Sequence, residues 1–279
     1  MLRLSRVWLF LVCVCTVLAV WPRQTRAAEA EFDNAKWKLQ LNGWISQPSG
    51  YFNGQSGNGY FDVQKDFGFG NYATFSGKFD WRFKRKHHLL LGVTPVLSSQ
   101  TTTLSRTIEW EDVSYDLGAR VKADIKSVIL SPGYQWDFFR KQQGWLGLLV
   151  DCNLAWTDAT LKVSGSVSGG GTGGTASTQS SGSLFAPLPA IGPIFKCYPI
   201  PNKNRFYVDG SFTGMSFFGY GNFMSGNAVA GFPISEHWDA RAGYLWGNRL
   251  KIDDSDSHIS LRLVQKGPVF GVEYHWGKR

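Results

Sequence analysis

The thirteen residues from Tyr72 to Lys84 alternate without a break: Ala73, Phe75, Gly77, Phe79, Trp81 and Phe83 share one parity, and Thr74, Ser76, Lys78, Asp80, Arg82 and Lys84 the other. Successive side chains of a strand point to opposite faces, so this segment reads as a strand with one apolar and one charged face. Two architectures suit such a strand. In a soluble sandwich the apolar face packs on a second sheet. In a membrane-spanning barrel it meets lipid and the charged face lines the interior.

Alternation recurs in ten segments, near 36–46, 72–84, 87–99, 119–138, 144–163, 185–198, 205–218, 222–234, 237–248 and 258–276. In the first, Trp37, Leu39, Leu41 and Ile45 oppose Lys36, Lys38, Gln40 and Asn42. The fourth changes parity around Ser127, which predicts a bulge there. The sixth is the weakest, because Pro187, Pro189 and Pro193 each remove a ladder donor. Connections after the second, fourth, sixth and eighth strands are short, at Arg85-Lys86, 140–143, 199–204 and Ser235-Glu236. Those after the first, third and fifth are long, at 48–71, 100–118 and 164–183. Only the connection near 219–221 breaks this rule. Short turns at one end and long loops at the other are the habit of outer-membrane barrels, and an even strand count returns both termini to the turn end.

Aromatic placement separates the two architectures. Trp81, Phe83, Trp136, Phe138, Tyr198, Phe206, Trp238 and Trp276 fall at the strand ends nearest the short turns, and Trp44, Trp156, Tyr244 and Trp246 toward the other ends. Tyr and Trp favour the two bilayer interfaces, so a lipid-facing wall carries two such girdles. The fold class read from this pattern is an all-β transmembrane antiparallel up-and-down barrel, with ten strands, or eight as the alternative.

The start of the chain sets the compartment. Arg3 and Arg6 precede an uncharged apolar run from Val7 to Trp21, and Ala27-Ala28-Glu29-Ala30 follows. That order is a cleaved secretory signal, which gives residues 1–28 as the signal peptide and 29–279 as a single barrel domain. Four of the 29 basic residues leave with it, so the net charge falls from +8 to +4. No dense basic block remains to take nucleic acid. Cys13 and Cys15 leave too, and Cys152 and Cys197 remain. A loop centred near residue 174 between the fifth and sixth strands would set these two directly opposite, within reach of a disulfide. The 32 glycines, with 20 Phe, 12 Trp and 10 Tyr against only 3 Met, suit a β-rich chain.

Asp66-Phe67-Gly68-Phe69, Gly133-Tyr134-Gln135-Trp136-Asp137-Phe138 and the tail Phe270-Gly271-Val272-Glu273-Tyr274-His275-Trp276 resemble segments of the small bacterial outer-membrane β-barrel proteins, broadly the OmpA/OmpW-like superfamily. The resemblance covers most of the mature chain as a pattern, and it implies fold and outer-membrane location. Members of the superfamily close on an aromatic strand that the β-barrel insertion machinery reads; here Gly277-Lys278-Arg279 follow Trp276.

Several constellations bear on activity. Asp254, Asp256 and His258 have the Asp-x-Asp and Asp-x-His spacing of the omptin surface proteases, although in that family the pairs come from different strands. They also form a cluster too unspecific for a calcium loop. His258, Ser260 and Glu273 resemble the Ser-His-acid set of outer-membrane lipid A deacylases. If Ser260 and Glu273 share one strand, however, thirteen steps of about 3.3 Å hold them on the order of 40 Å apart. Glu109 and Glu111 flank Trp110 in a long loop. None of these is taken as catalytic, cofactor-binding or metal-binding.

The interior is more informative. Lys78, Asp80, Arg82, Lys122, Asp124, Asp137, Asp151, Asp239, Arg241, Glu273 and His275 take the face opposite the lipid and form a predicted lumen network. Buried charges must be paired or watered, so they predict an ion-pair network filling the lumen or a narrow wet path. Trp81, Trp136, Trp238, Trp276, Trp156 and Trp246 are the predicted interface aromatics. The Gly, Ser and Thr tract 164–183 predicts a disordered external loop. Two function classes follow: an envelope protein with a structural or narrow-pore role, or a surface enzyme acting on lipid A or peptides. The partners implied are outer-membrane lipids, the insertion machinery and small solutes; no cofactor is called for.

Overall fold

The computed structural model describes residues 35–278, apart from 54–60, 67, 105–106, 111–112, 116–117, 142, 168–173, 200–205, 218–220 and 255–258. The predicted signal, residues 1–28, lies outside the described residues. Ten long strands form the wall: β1 (Ala35–Asn53), β3 (Tyr72–Lys84), β4 (His87–Thr103), β7 (Arg120–Lys141), β8 (Gly144–Val167), β9 (Gly174–Cys197), β10 (Tyr207–Phe217), β11 (Gly221–Pro233), β12 (Trp238–Asp254) and β13 (Ile259–Lys278). Three short ones, β2 (Phe61–Asp62), β5 (Ile108–Trp110) and β6 (Val113–Tyr115), sit in the long loops. All neighbours are antiparallel, β1 pairs with β13, and the β8–β9 pairing closes the ring.

Parity decides what the wall presents. On β7, Val128, Tyr134, Trp136 and Phe138 are exposed, while Ser127, Gln135 and Asp137 are buried inside. Residues 128–138 make ten steps of about 3.3 Å at a tilt of about 40°, a rise of about 25 Å, which is the height of the apolar band a membrane barrel needs. Aromatic rings edge that band at the turn end, where Trp81 stacks on Trp37 at 5.3 Å and Trp238 and Trp276 flank Tyr274 at 4.7 and 5.2 Å. At the loop end Trp156 lies against Phe185 at 5.1 Å and Tyr244 against Trp246 at 6.1 Å. The outward face therefore suits lipid, and the barrel spans a membrane. Trp44 and Tyr198 depart from the predicted girdles: Trp44 shares the parity of Lys38 and Ser46 and is buried inside the barrel, and Tyr198 is buried against the ring of Tyr207.

Above the band the amphipathicity inverts. On β7 the outward residues become Arg120, Lys122 and Lys126, all exposed, while Val121 and Ala123 are buried inside. No bulge marks the change, because the β4–β7 register runs unbroken past Ser127. The bulge predicted at Ser127 is instead a change of surroundings, from lipid to water outside the wall. The actual irregularity on β7 lies between Trp136 and Phe139.

The tract 164–183 is corrected as well. Residues 164–167 and 174–183 extend β8 and β9 to 24 residues each, paired as Ser164 with Ser177 and Asp158 with Ser183. Backbone pairing needs no apolar side chain once the strands stand in water. This extension moves the register, so Cys152 faces Pro189 and Cys197 faces Gly144, and both cysteines are free. The prolines of β9 share one parity, and the β9–β10 pairing skips Gly192 and Pro193.

Candidate functional site

Two polar networks fill the turn end of the lumen. In the first, His88 Nδ1 on β4 lies 2.8 Å from Asp80 Oδ1 on β3, and its Nε2 lies 3.3 Å from Asp137 Oδ2 on β7. Asp137 also accepts from Gln135 Nε2 at 2.7 Å and from Arg140 Nη1. Arg140 reaches it because the irregularity after Trp136 turns Arg140 inward, opposite Trp145. Gly147 leaves the room: a Cβ there would stand 3.0 Å from Asp137 Oδ1 and 2.9 Å from the Trp136 carbonyl oxygen.

The second network crosses the lumen. Arg241 Nη2 on β12 donates to both carboxylate oxygens of Asp209 on β10, at 3.0 and 2.8 Å. Its Nε lies 3.9 Å from Glu273 Oε2 on β13. Glu273 accepts from Gln40 Nε2 of β1 at 2.7 Å, and Lys196 Nζ of β9 lies 3.6 Å from its other oxygen. β10, β11 and β12 stand between β9 and β13 in the wall, so the Lys196–Glu273 contact runs across the interior. Lys196 Nζ also sits 3.6 Å above the centroid of the buried Tyr207 ring. Gly231 makes room for that ring, since a Cβ there would fall 2.0 Å from Tyr207 Cζ. Burial of these charges is tolerable because each is met by an opposite charge and by hydrogen bonds.

A cavity of about 280 Å³ adjoins the networks, with Asp80, Lys196, Arg241 and Glu273 in its lining beside small and polar side chains such as Asn42, Ser76, Ser131 and Asn227. Lys78 and Asp151 stand in its wall. Toward the loop end the interior turns apolar. Val63 and Phe69, from the segment after β2, pack with Ala123 and against Ile125 of β7 and Leu263 of β13. β7 and β13 are four places apart in a ring of ten, so this segment bridges the bore.

The sequence-predicted residues divide as follows. Asp80 and Asp137 join the first network and Arg241 and Glu273 the second. Arg82 is buried at the turn end, and Asp239 is buried with His275 Nδ1 at 3.9 Å. Lys122 and Asp124 are a correction: they pair at 3.4 Å on the outer face, 48% and 28% exposed, because the wall there stands above the lipid. Of the six Trp, Trp136, Trp156, Trp238 and Trp246 are exposed on the outer face, and Trp81 and Trp276 lie partly covered in the stacked cluster.

Sequence reading missed His88, Arg140, Lys196 and Asp209. Asp209 had a signal, since Tyr207, Asp209, Ser211 and Thr213 alternate with Val208, Gly210 and Phe212. His88 lies beside the apolar run Leu89-Leu90-Leu91, Arg140 has the pattern of a turn residue, and Lys196 sits in the proline-bearing strand.

Among the described residues, Asp239, Glu273 and His275 bring ligand atoms within 4.8 Å of one another. Lys196 and Arg241 already neutralise Glu273 there and would repel a cation. Ser260 pairs with Asn53 and Asp253 at the loop end, far along β13 from Glu273. Asp256, His258 and Glu111 lie outside the described residues.

No family model matches the chain, and no curated protein matches it. Solved structures do. The outer membrane protease OmpT from Escherichia coli aligns over 91% of this chain and 100% of its own, at 11% identity and a TM-score of 0.60. The transport unit of the autotransporter AIDA-I from Escherichia coli aligns over 93% and 94%, at 9% identity and a TM-score of 0.42. The attachment invasion locus protein Ail of Yersinia pestis aligns over 86% and 99%, at 11% identity and a TM-score of 0.33. The likeness to OmpT is one of fold: this chain is built as a bacterial outer-membrane β-barrel.

Proposed function

We propose that the protein is an integral outer-membrane barrel with a structural role in the cell envelope and a lumen closed to solute flow. The Lys196–Glu273 contact across the bore carries this reading. A barrel of about ten strands has little interior to spare, and charged side chains meeting across it leave no continuous column of water. The segment bearing Val63 and Phe69 supports closure at the other end. Export by residues 1–28 as a cleaved signal, insertion by the β-barrel machinery and contact with outer-membrane lipids belong to the same proposal. The narrow-pore alternative, passing small solutes, needs a path that the networks obstruct. An enzyme reading finds no support in the positions of Ser260 and Glu273, and the likeness to a protease extends to fold alone.

Conductance of the purified protein in planar bilayers tests this. The expected record at neutral pH and molar salt has no discrete steps. Reproducible channel openings would overturn the closed-lumen reading.

A further inference from the structure

The wall of the barrel is uneven at the loop end. β9 pairs with β8 along its whole length, from Cys197 opposite Gly144 to Gly174 opposite Val167. On its other side it pairs with β10 only between Cys197 and Ile191. β10 ends at Phe217, which in that register falls beside Leu188. Among the described residues, nothing pairs with the β10 side of residues 174–187, a free edge of about 45 Å at about 3.3 Å per residue.

The prolines show which groups this edge presents. Successive residues of an antiparallel strand direct their backbone N–H and C=O groups to opposite sides. Between Cys197 and Ile191 the pairing with β10 is missing at Gly192 and Pro193. Both of those pairs need the N–H that Pro193 lacks, if the odd-numbered residues of β9 point toward β10. Pairing with β8, by contrast, runs unbroken through Pro187, Pro189 and Pro193. The odd-numbered residues therefore turn their backbone groups to β10 in the lower wall and to the free edge above it. Thr175, Ser177, Gln179, Ser181, Ser183 and Phe185 each present a donor and an acceptor there.

Exposed strand edges are ordinarily blunted by charge, proline or a bulge. Residues 174–186 carry no charge and no proline, and their register with β8 has no shift. Gly182, Ser183, Leu184 and Phe185 are all exposed, so both faces of the strand stand clear as well as its edge. Leu184 and Phe185, one on each face, are 58% and 52% exposed. A second copy cannot fill the edge: its β9 is rooted in its own wall, which would have to stand in the place of β10. An ionic partner finds no charge between Gly174 and Phe195. We infer that the edge takes an extended, uncharged segment of another protein as an added antiparallel strand, apolar where it passes Leu184 and Phe185 and small or polar beyond. In strand addition the backbone bonds supply affinity and the alternate side chains selectivity.

The probe is a labelled synthetic peptide copying Leu154–Val167 of β8, the sequence β9 already accepts on its other side, with Asp158→Thr and Lys162→Thr. It is titrated onto the full barrel in neutral detergent and read by fluorescence anisotropy. The expected result is saturable binding, weakened about tenfold or more by Ser181→Pro/Ser183→Pro in the barrel, because two edge donors are lost. Proline at those positions spares the β8 ladder, as Pro187 and Pro189 do. In the register β9 keeps with β8, the peptide's even-numbered N–H groups meet the edge. N-methylation at peptide positions 160 and 164 should therefore abolish binding, and at 161 and 165 should leave it. Should the proline variant not fold, the methylated peptides decide on the unaltered protein. Equal binding by the two methylated peptides, undiminished binding to the proline variant, or no saturable binding would overturn the inference. So would dimers of the barrel that the same prolines abolish, since a second copy would then be the occupant.

Discussion

Glu273→Gln is the sharpest perturbation of the lumen. The substitution preserves size and leaves an oxygen to accept from Gln40, but removes the negative charge that faces Lys196 at 3.6 Å and Arg241 at 3.9 Å. Glu273 is 2% exposed, so water cannot replace what is lost. Removing one partner of a buried ion pair costs about 3–5 kcal/mol, because the remaining charge stays buried. Two features pull the value to the lower end. Arg241 keeps its two bonds to Asp209, and Lys196 keeps the face of Tyr207, a contact worth about 2 kcal/mol when desolvated. The expected loss is about 3 kcal/mol.

Reversible urea unfolding in phospholipid vesicles, followed by tryptophan fluorescence, measures it. The double variant Glu273→Gln/Lys196→Met supplies the decisive comparison. If the cost arises from a stranded charge, removing that charge should restore about 1–2 kcal/mol relative to Glu273→Gln alone, as coupled neighbours do. A Glu273→Gln protein within about 0.5 kcal/mol of the parent, below the scale of a buried pair, would refute the reasoning. So would a double variant whose loss equals the sum of the two single losses.

Two further outcomes follow from the same structure. In a background lacking Cys152 and Cys197, Lys122→Cys should react with a membrane-impermeant maleimide in intact vesicles and Ala242→Cys only after denaturation; equal labelling would contradict the outward placement of one and the lipid-facing parity of the other. On the proposed closure of the lumen at both ends, neither Glu273→Ala nor deletion of residues 61–70 should conduct alone, whereas their combination should. Channel steps from Glu273→Ala alone would show that Val63 and Phe69 do not obstruct the loop end.

Much of this was legible in the chain, and for a physical reason. Inside the bilayer one face of every strand must be apolar, so the sequence repeats that demand at Phe75 to Phe83 and again at Ala240 to Trp246. Cross-lumen partners are a different matter. Lys196 and Glu273 meet only because the ring closes between β8 and β9, and nothing local to either residue records that closure. The distant register fails for a related reason: the pairing of Cys152 depended on where the β8–β9 ribbon turns, and its Ser and Thr tip carries no apolar period to say.

Ser127 marks the limit of pattern reading more clearly still. Below it the apolar parity of β7 is Val128, Leu130 and Tyr134, facing out; above it the apolar parity is Val121, Ala123 and Ile125, facing in. A sequence records which residues are apolar, but not whether the surroundings outside the wall are lipid or water. A one-residue bulge and a membrane boundary therefore write the same change of phase. The two differ in their consequences for the polar residues. A bulge would have kept Lys122 and Asp124 in the lumen, enlarging the charged interior; a boundary puts them outside with Lys162, in the same water-facing zone as Lys251 and Arg262. The unbroken β4–β7 register decides for the boundary, and it makes the loop half of this barrel an inside-out continuation of the turn half: apolar within, charged without, with the headgroup layer at the seam.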